Sequence, residues 1–573
     1  MSELLLGVDI GTSSSKGVLA RPDGELVATS ERPHELSLPR PGWAEHDAQE
    51  VWWEDFVSIC RELLEQADDR VAAVCTSGIG ACLLPADEAG NPLRHAILYG
   101  IDTRAEREIE ELNERYGEER LLERCGSVLT TQAVGPKLLW LRRNEPEVWK
   151  KTRKFFMANS FIAWRLTGEY VLDHHSASQS DPLYDVHEYR WIEDWAEEIA
   201  PGMPLPRLLW PAEVVGEVTR EASEATGIPT GTPVAAGTID AWSEGASVGV
   251  QDPGDLMLMY GTTMFIIEVL REPLSHPGLW GTTGILPDTH NLAAGMATSG
   301  ALTGWLKKIS GDLPYETLTE EAAAVPPGSG ALVVLPYFAG ERTPLQDPRA
   351  RGLISGLTLS HGRGHLYRAM LEATAYGVRH IFEYMRDAGG GGERLVAVGG
   401  GTKGGLWTQI VSDVTGRPQD LPEQTIGAAY GDALLAARAV GLAEPDTDWS
   451  TISETVEPKQ ENREIYDELY RIYRELYPAT REASHSLADL QKGGGDVVTW
   501  YRGSDYFKLI ERTPPVTCRL RNGSRGLCRY TKAAFIDSEP RSRHGAHRQG
   551  RVLPGRRASG TRSTRRPRTG LLL

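Results

Sequence analysis

A chain of 573 residues exceeds what one hydrophobic core supports, so two large domains are expected. Its 40% hydrophobic and 8% aromatic content is ordinary for a soluble globular protein. No run approaches the roughly 18–20 apolar residues of a membrane span, and no basic stretch leads into an apolar core as in a signal peptide. The net charge of −18 is unevenly placed, with 19 Lys and Arg against 5 Asp and Glu in residues 491–573 and 42 against 74 in residues 1–490. So acidic a body argues against nucleic acid as its partner, and a cytoplasmic location without membrane association is expected.

The first element is the strand "LLLGVDI" (4–10), followed by four consecutive hydroxyl residues and a second strand, "KGVLA" (16–20); "GEL" (24–26) marks a turn into a third. "QEVWWEDFVSICRELLEQA" (49–67) has helical periodicity, and "RVAAVCTSGIG" (70–80) is a buried strand entering a loop. "PVAAGTIDAWSEG" (233–245) runs from strand into helix, and "DLMLMYGTTMFIIEVL" (255–270) repeats the opening layout of apolar run, hydroxyl turn and apolar run. Two copies of one motif about 250 residues apart point to a duplication, each copy opening a domain. "GHLYRAMLEATAYGVRHIFEYMRDA" (364–388) is a long helix, and "AGGGGE" (388–393) a flexible link to the strand "RLVAVGG" (394–400). The helical pattern 463–490 closes the folded unit, "QKGGG" (491–495) breaks it, and the basic segment beyond has no hydrophobic periodicity. Strands alternating with helices give an α/β class with mixed sheets. Cys60, Cys75, Cys82 and Cys125 read as reduced core thiols, and Cys518 and Cys528 have no Cys or His partner at zinc spacing.

Three segments carry candidate chemistry. In "GVDIGTSSSK" the turn offers backbone N–H groups and hydroxyls to one concavity, a nest for phosphate oxygens. Gly11 permits close approach, Thr12, Ser13 and Ser14 donate, Lys16 adds positive charge, and Asp9 is placed to hold magnesium through water. A plain β-hairpin is the alternative; the second turn, Gly261-Thr262-Thr263, favours a clamp on one polyphosphate. "GGGTKGGLW" (399–407) follows a strand and can receive a base or ribose on bare backbone, or be an ordinary loop. Asp240 is either a helix N-cap or a carboxylate projecting into a cleft as general base.

Taken together these segments resemble the FGGY carbohydrate kinases of the actin-like ATPase superfamily, over residues 4–485. "RGLISGLTLSHGRGHLYRAMLE" (351–372) is similar to the family signature, and "PGWAEHDAQEVWWE" (41–54), "LRHAILYGIDTRA" (93–105), "FIAWRLTGE" (161–169) and "EQTIGAAYGDALLA" (423–436) follow the family's order. The resemblance implies two ribonuclease-H-like domains around a cleft: a sugar-binding domain over 1–250, an ATP-binding domain over 251–490, and a disordered tail over 491–573. It implies that Thr12, Ser13, Ser14 and Lys16 face the β- and γ-phosphates, with Gly261 and Thr262 opposite, and that Asp9 holds Mg2+. Gly300 and Gly304 lie along the nucleotide, Gly400, Gly401 and Gly404 pass over the adenosine, and Asp240 is the base. Where xylulose kinases show Gln-Met-His and glycerol kinases Gln-Arg-Glu, this chain has Ser77-Gly78-Ile79. Gly78, Ile79, Gln132 and Asp240 are the expected sugar contacts, with Glu244 either a further polar contact or a solvated helix residue. A pentulose such as xylulose is the expected acceptor, with ribulose, gluconate, glycerol and other polyols open, and a homodimer is allowed. A chaperone or filament protein would lack the signature and a base at Asp240, and a sugar sensor would have lost Asp9 or Asp240. If the tail is dispensable, truncation after Leu490 leaves melting temperature and ADP release essentially unchanged; a large loss of folded yield would show that it packs on the body.

Overall fold

The computed structural model describes residues 3–493 apart from Asp68 and Thr425, so the basic segment from residue 494 on lies outside the described residues. Two sheets dominate. The first contains β1 (Glu3–Ile10), β2 (Ser14–Ala20), β3 (Leu26–Pro33), β4 (Arg70–Gly78), β5 (Val214–Glu217) and β6 (Pro233–Ala235), in the order β5-β6-β4-β1-β2-β3. The second contains β7 (Asp255–Tyr260), β8 (Met264–Leu270), β9 (Trp280–Thr283), β10 (His290–Met296), β11 (Arg394–Val398), β12 (Gln419–Pro422) and β13 (Ile452–Val456), in the order β9-β10-β8-β7-β11-β12-β13.

The repeated motif of the sequence is the start of a repeated topology. In the first sheet β3-β2-β1 are antiparallel neighbours, β1-β4-β6 run parallel, and β5 returns antiparallel. In the second, β10-β8-β7 are antiparallel, β7-β11-β12 parallel, and β13 antiparallel, with β9 as an extra edge. β1 and β7 are near-continuous apolar runs because each is paired on both edges and covered on both faces.

Helices pack on these sheets, among them α1 (Glu54–Leu64) and α2 (Val134–Asn144) in the first lobe. Two more make the junction between the lobes: α3 (Asp240–Ser247), which follows the first sheet, and α7 (Ala428–Ala439), which follows strand β12 of the second. Each crosses to the other lobe. Trp242 and Ala246 of α3 share a core with Met257, Ile267 and Val398 of the second sheet. Ala429, Ala433 and Ala436 of α7 share one with Leu5, Val18 and Cys75 of the first. The crossing works because side chains are absent at the contacts. A Cβ on Gly7 would lie 2.0 Å from the Ala429 carbonyl oxygen, and one on Gly431 would lie 1.9 Å from that of Ser243.

The second lobe also holds α4 (Gly300–Ile309), α5 (Arg363–Asp387), α6 (Leu406–Thr415) and α8 (Arg463–Gly493). The helix expected to end at residue 490 therefore runs through Gln491 and Lys492 to Gly493 before the described residues stop. Cys60, Cys75, Cys82 and Cys125 are buried and outside any disulfide, as their apolar contexts suggested. Gly431→Val tests the crossing: its branched side chain must displace the Ser243 backbone, so a loss of at least about 2 kcal/mol in chemical denaturation is expected.

Candidate active site

The β1–β2 hairpin sets one wall. Its turn is closed by the Gly11 N–H donating to the Ser14 carbonyl at 3.1 Å. Asp9 is directly opposite Lys16 in the antiparallel register, so the two side chains share a face. Burial pushes the Asp9 carboxyl up to about 6, while the charges of Lys16 and His34 and a bond from Ser77 hold it back. That bond runs from the Ser77 hydroxyl on β4 at 3.3 Å. The turn is braced from behind: His34 spans Asp55 (2.8 Å) and the Gly11 carbonyl (3.0 Å), and Ser15 donates to the same Asp55 oxygen at 2.9 Å. Thr12 shares a hydrogen bond of 3.0 Å with the Tyr99 hydroxyl, Ser13 is exposed, and Ser14 is half-buried. Lys16 is half-exposed with Glu31 3.9 Å away.

The opposite carboxyl comes from the first sheet's last parallel strand. After β6 the chain passes through Gly237 at φ +67°, where a Cβ would fall 1.8 Å from the Thr76 carbonyl oxygen. That close passage delivers Asp240 as the first residue of α3. The N-cap is Ile239, so the alternative of Asp240 as N-cap is not what the helix adopts, although its Oδ1 accepts the Ala241 N–H at 2.7 Å. Burial, then the charge of Asp9, hold the Asp240 carboxyl well above the usual range, and Glu244 adds to this. Glu244, one turn on, is half-buried and faces the same charges; burial and Asp9 push it up to about 7, with Lys16 opposing.

Asp432 on α7 escaped the sequence reading. Its Oδ2 accepts the Ser77 N–H at 3.0 Å and the Ser77 hydroxyl at 2.7 Å, and its Oδ1 accepts the Ser243 hydroxyl at 2.6 Å. It therefore ties the end of β4 to both crossing helices, directly behind Asp9. A lone acid in the apolar run "AAYGDALLAA" was the available signal.

The second hydroxyl turn is fastened to a helix start. The Gly261 carbonyl accepts the Gly300 N–H at 2.9 Å, and the Thr262 carbonyl accepts those of Ser299 and Ala301 at 3.1 and 3.0 Å. A Cβ on Gly300 would lie 2.6 Å from the Gly261 carbonyl oxygen, and one on Gly304 would meet the Tyr315 hydroxyl at 3.5 Å. At the end of β11, Gly400–Thr402 form a single 3-10 turn. A Cβ on Gly401 would strike the Trp407 ring at 2.8 Å, whereas Gly400 and Gly404 border open space.

On the sugar side the structure divides the expected residues. Ile79 is 1% exposed in the first lobe's core, so its side chain packs rather than reaching a ligand, a correction to its expected role. Gly78 is pressed on Ala158, where a Cβ would lie at 2.6 Å. Gln132 Oε1 accepts the Gly100 N–H at 2.6 Å, which turns its amide –NH2 to the other side. The Gln132 loop is held by Lys137, whose Nζ donates to the carbonyls of Thr131, Gln132 and Ala133 at 2.6, 3.3 and 3.0 Å. Burial pushes Lys137 down to about 8. Tyr99, beside Gly100, links this loop to Thr12, and burial raises it to about 12 with the Asp240 charge adding. Neither Lys137 nor Tyr99 was singled out from the sequence.

Asp9, Asp240 and Glu244 repel one another, with Lys16 as the cation that reaches two of them. Hard carboxylate oxygens in that state fit a divalent cation. Among the described residues no three Asp, Glu, His or Cys side chains form a closed ligand set.

Residues 4–245 match the model of the N-terminal domain of the FGGY family of carbohydrate kinases, and residues 256–440 that of its C-terminal domain. A xylulose kinase of Escherichia coli strain K12 is 30% identical over 454 residues, 77% of this chain and 90% of that protein. A glycerol kinase of Nocardia farcinica is also 30% identical, over 461 residues, 77% of this chain and 91% of that protein. The crystal structure of xylulose kinase from Rhodospirillum rubrum superposes with a TM-score of 0.78 at 34% identity, covering 84% of this chain and all of that one.

The raised carboxyls have a stability signature. Asp9 at about 6 and Glu244 at about 7 ionise at higher pH in the folded chain than in the unfolded one, so their contribution is complete below pH ~4 and is lost as pH rises through 6–7. Asp9→Asn is therefore expected to gain melting temperature relative to the ligand-free wild type as pH goes from 5 to 8. A difference that does not vary with pH would refute this.

Proposed function

The chain belongs to the FGGY family of carbohydrate kinases, and we propose that it transfers the γ-phosphoryl group of ATP to a hydroxyl of a pentulose, with D-xylulose the first acceptor. The observation carrying this reading is the Asp240 carboxyl, set at the start of α3 in the charge field of Asp9. Xylulose comes from the names of relatives. The equally similar glycerol kinase is a weaker guide to the acceptor, because this chain has Ser77-Gly78-Ile79 where the Gln-Arg-Glu pattern would stand.

Phosphoryl transfer asks the protein for in-line positioning and charge neutralisation rather than covalent help. Asp240 orients the acceptor hydroxyl and takes its proton late in transfer; its raised affinity for protons makes it a better base than an ordinary carboxylate. Thr12, Ser13, Ser14 and Lys16 donate to the phosphates from one lobe, and the Gly261-Thr262 turn does so from the other. Asp9 would hold Mg2+ through water, and the ion would supply charge neutralisation at the phosphates. Gly300 and Gly304 line the nucleotide's path, and Gly400, Gly401 and Gly404 lie over the adenosine. Gln132 offers its amide to the sugar, and Gly78 contributes backbone beside it. Water exclusion by the lobes limits futile ATP hydrolysis. ATP as substrate, together with the buried free thiols, supports a cytoplasmic location.

Asp240→Asn preserves shape while removing the base. Turnover of the preferred sugar is expected to fall about 100-fold or more, with sugar binding modestly weakened. Since Ile239 caps the helix and the carboxyl is under repulsion, the variant should be at least as stable as wild type. A folded variant with near-native turnover would remove Asp240 from catalysis. Lys16→Ala should raise the apparent KM for ATP much more than that for sugar, as measured by coupled ADP release; equal effects would contradict its place at the phosphates.

A further inference from the structure

Behind Gln132 lies a narrow pocket between the lobes, walled by the rings of Trp242, Phe265 and Trp280 and ending at Asp181. Gln132, the expected sugar contact, is part of its lining, and Trp242 stands two residues beyond Asp240 on α3. Asp181 is 7% exposed, and its Oδ1 is sealed from solvent with no hydrogen-bond partner. Two further groups in the same wall share that condition, the Trp280 indole N–H and the Thr282 hydroxyl. Native proteins rarely leave such atoms unpaired, so three in one pocket call for a partner from outside the chain, a ligand hydroxyl or a water. Asp181 is also held firmly in register with the Gln132 loop: its carbonyl accepts the Gly135 N–H at 2.9 Å, and a Cβ on Gly135 would lie 2.6 Å from that oxygen.

We infer that Asp181 is a specificity-determining residue at the inner end of the sugar pocket, and that this end takes the neutral hydroxyl-bearing carbon of a ketose or polyol and rejects a carboxylate. The inference rests on the sugar-kinase reading above. The unpaired set comprises a donor (indole N–H), a hydroxyl that both donates and accepts, and a carboxyl oxygen, which accepts when ionised. A C–OH group complements that set, because it donates to Asp181 and accepts from the indole or the threonine. A sugar-acid carboxylate would carry its charge into this buried wall, whose lining offers it no cation. A nearby cation, Arg342, does not line the pocket. Its guanidinium lies 6.0 Å from the Trp280 ring centroid and donates to the Met296 carbonyl at 3.0 Å. Burial holds the Asp181 carboxyl well above the usual range, so it donates as readily as it accepts when a hydroxyl arrives.

The test is coupled ADP release by the full chain with D-xylulose, D-ribulose, xylitol and D-gluconate, for wild type, Asp181→Ala, Asp181→Asn and Thr282→Val. Wild type should favour one neutral compound over gluconate by about 10-fold or more in kcat/KM. In Asp181→Ala the KM for that compound should rise about 10-fold or more, with the KM for ATP within about twofold, and the handicap of gluconate should shrink. Asp181→Asn, which keeps a hydrogen-bonding group, should recover most of the loss. If the alanine variant fails to fold, the near-isosteric Thr282→Val carries the test through the same split, raising the sugar KM and sparing that for ATP. A sugar KM unchanged in the folded alanine or valine variant, or a wild type that prefers gluconate, overturns the inference and leaves the kinase reading standing. A wild type that releases ADP with none of the four removes the reading and the inference together.

Discussion

The architecture depends on the mutual crossing of α3 and α7. Each helix leaves the lobe that precedes it in sequence and packs against the other lobe's sheet. Two backbones meet at van der Waals limits only where no side chain intervenes, which is why Gly7 and Gly431 stand at the contacts. Asp432 then converts a packing contact into a polar joint, reaching Ser77 of one lobe and Ser243 of the crossing helix at once. The carboxyl of Asp9 lies one hydroxyl away from that joint.

The cleft is built as an electrostatic mismatch. Asp9, Asp240, Glu244 and Asp432 are all pushed upward, and Asp9 repels each of the other three. Lys16 opposes this at Asp9 and Glu244 without cancelling it. A site in that condition favours a cation. The cost is borne in the ligand-free state, so occupancy relieves strain that folding alone leaves in place.

The two hydroxyl turns are held by different supports. The first is braced by side chains, with His34, Asp55 and Ser15 behind Gly11. The second is braced by backbone, its carbonyls capping the N–H groups that open α4. Duplication explains the shared strand–turn–strand frame, and the connections that follow each frame explain the different bracing.

Much of this was legible in the sequence because it is local. The hydroxyl turns, the strands around them, the long helix 363–387 and the Gly-rich loop after β11 each declare themselves within a dozen residues, through periodicity or turn chemistry. Each copy of the opening motif stands at the start of one of the two large sheets. Asp240 was visible as an acid following an apolar strand, but whether it capped a helix depended on where Gly237 steered the chain, and Thr76 decides that from 161 positions away. Ile79 looked like a loop residue beside a ligand and is a core residue, because the packing around it comes from distant elements. Asp432, Tyr99, Lys137 and Asp181 gave little local signal, since an acid, a phenol or an amine acquires its meaning from partners that only the folded chain brings near. The sequence by itself determined the elements and the two similar strand–turn–strand openings, which are encoded in short-range pattern. The tertiary structure decided which carboxyls confront each other and which polar atoms remain unpaired, because burial and Coulomb interaction depend on distance in space and not on separation along the chain.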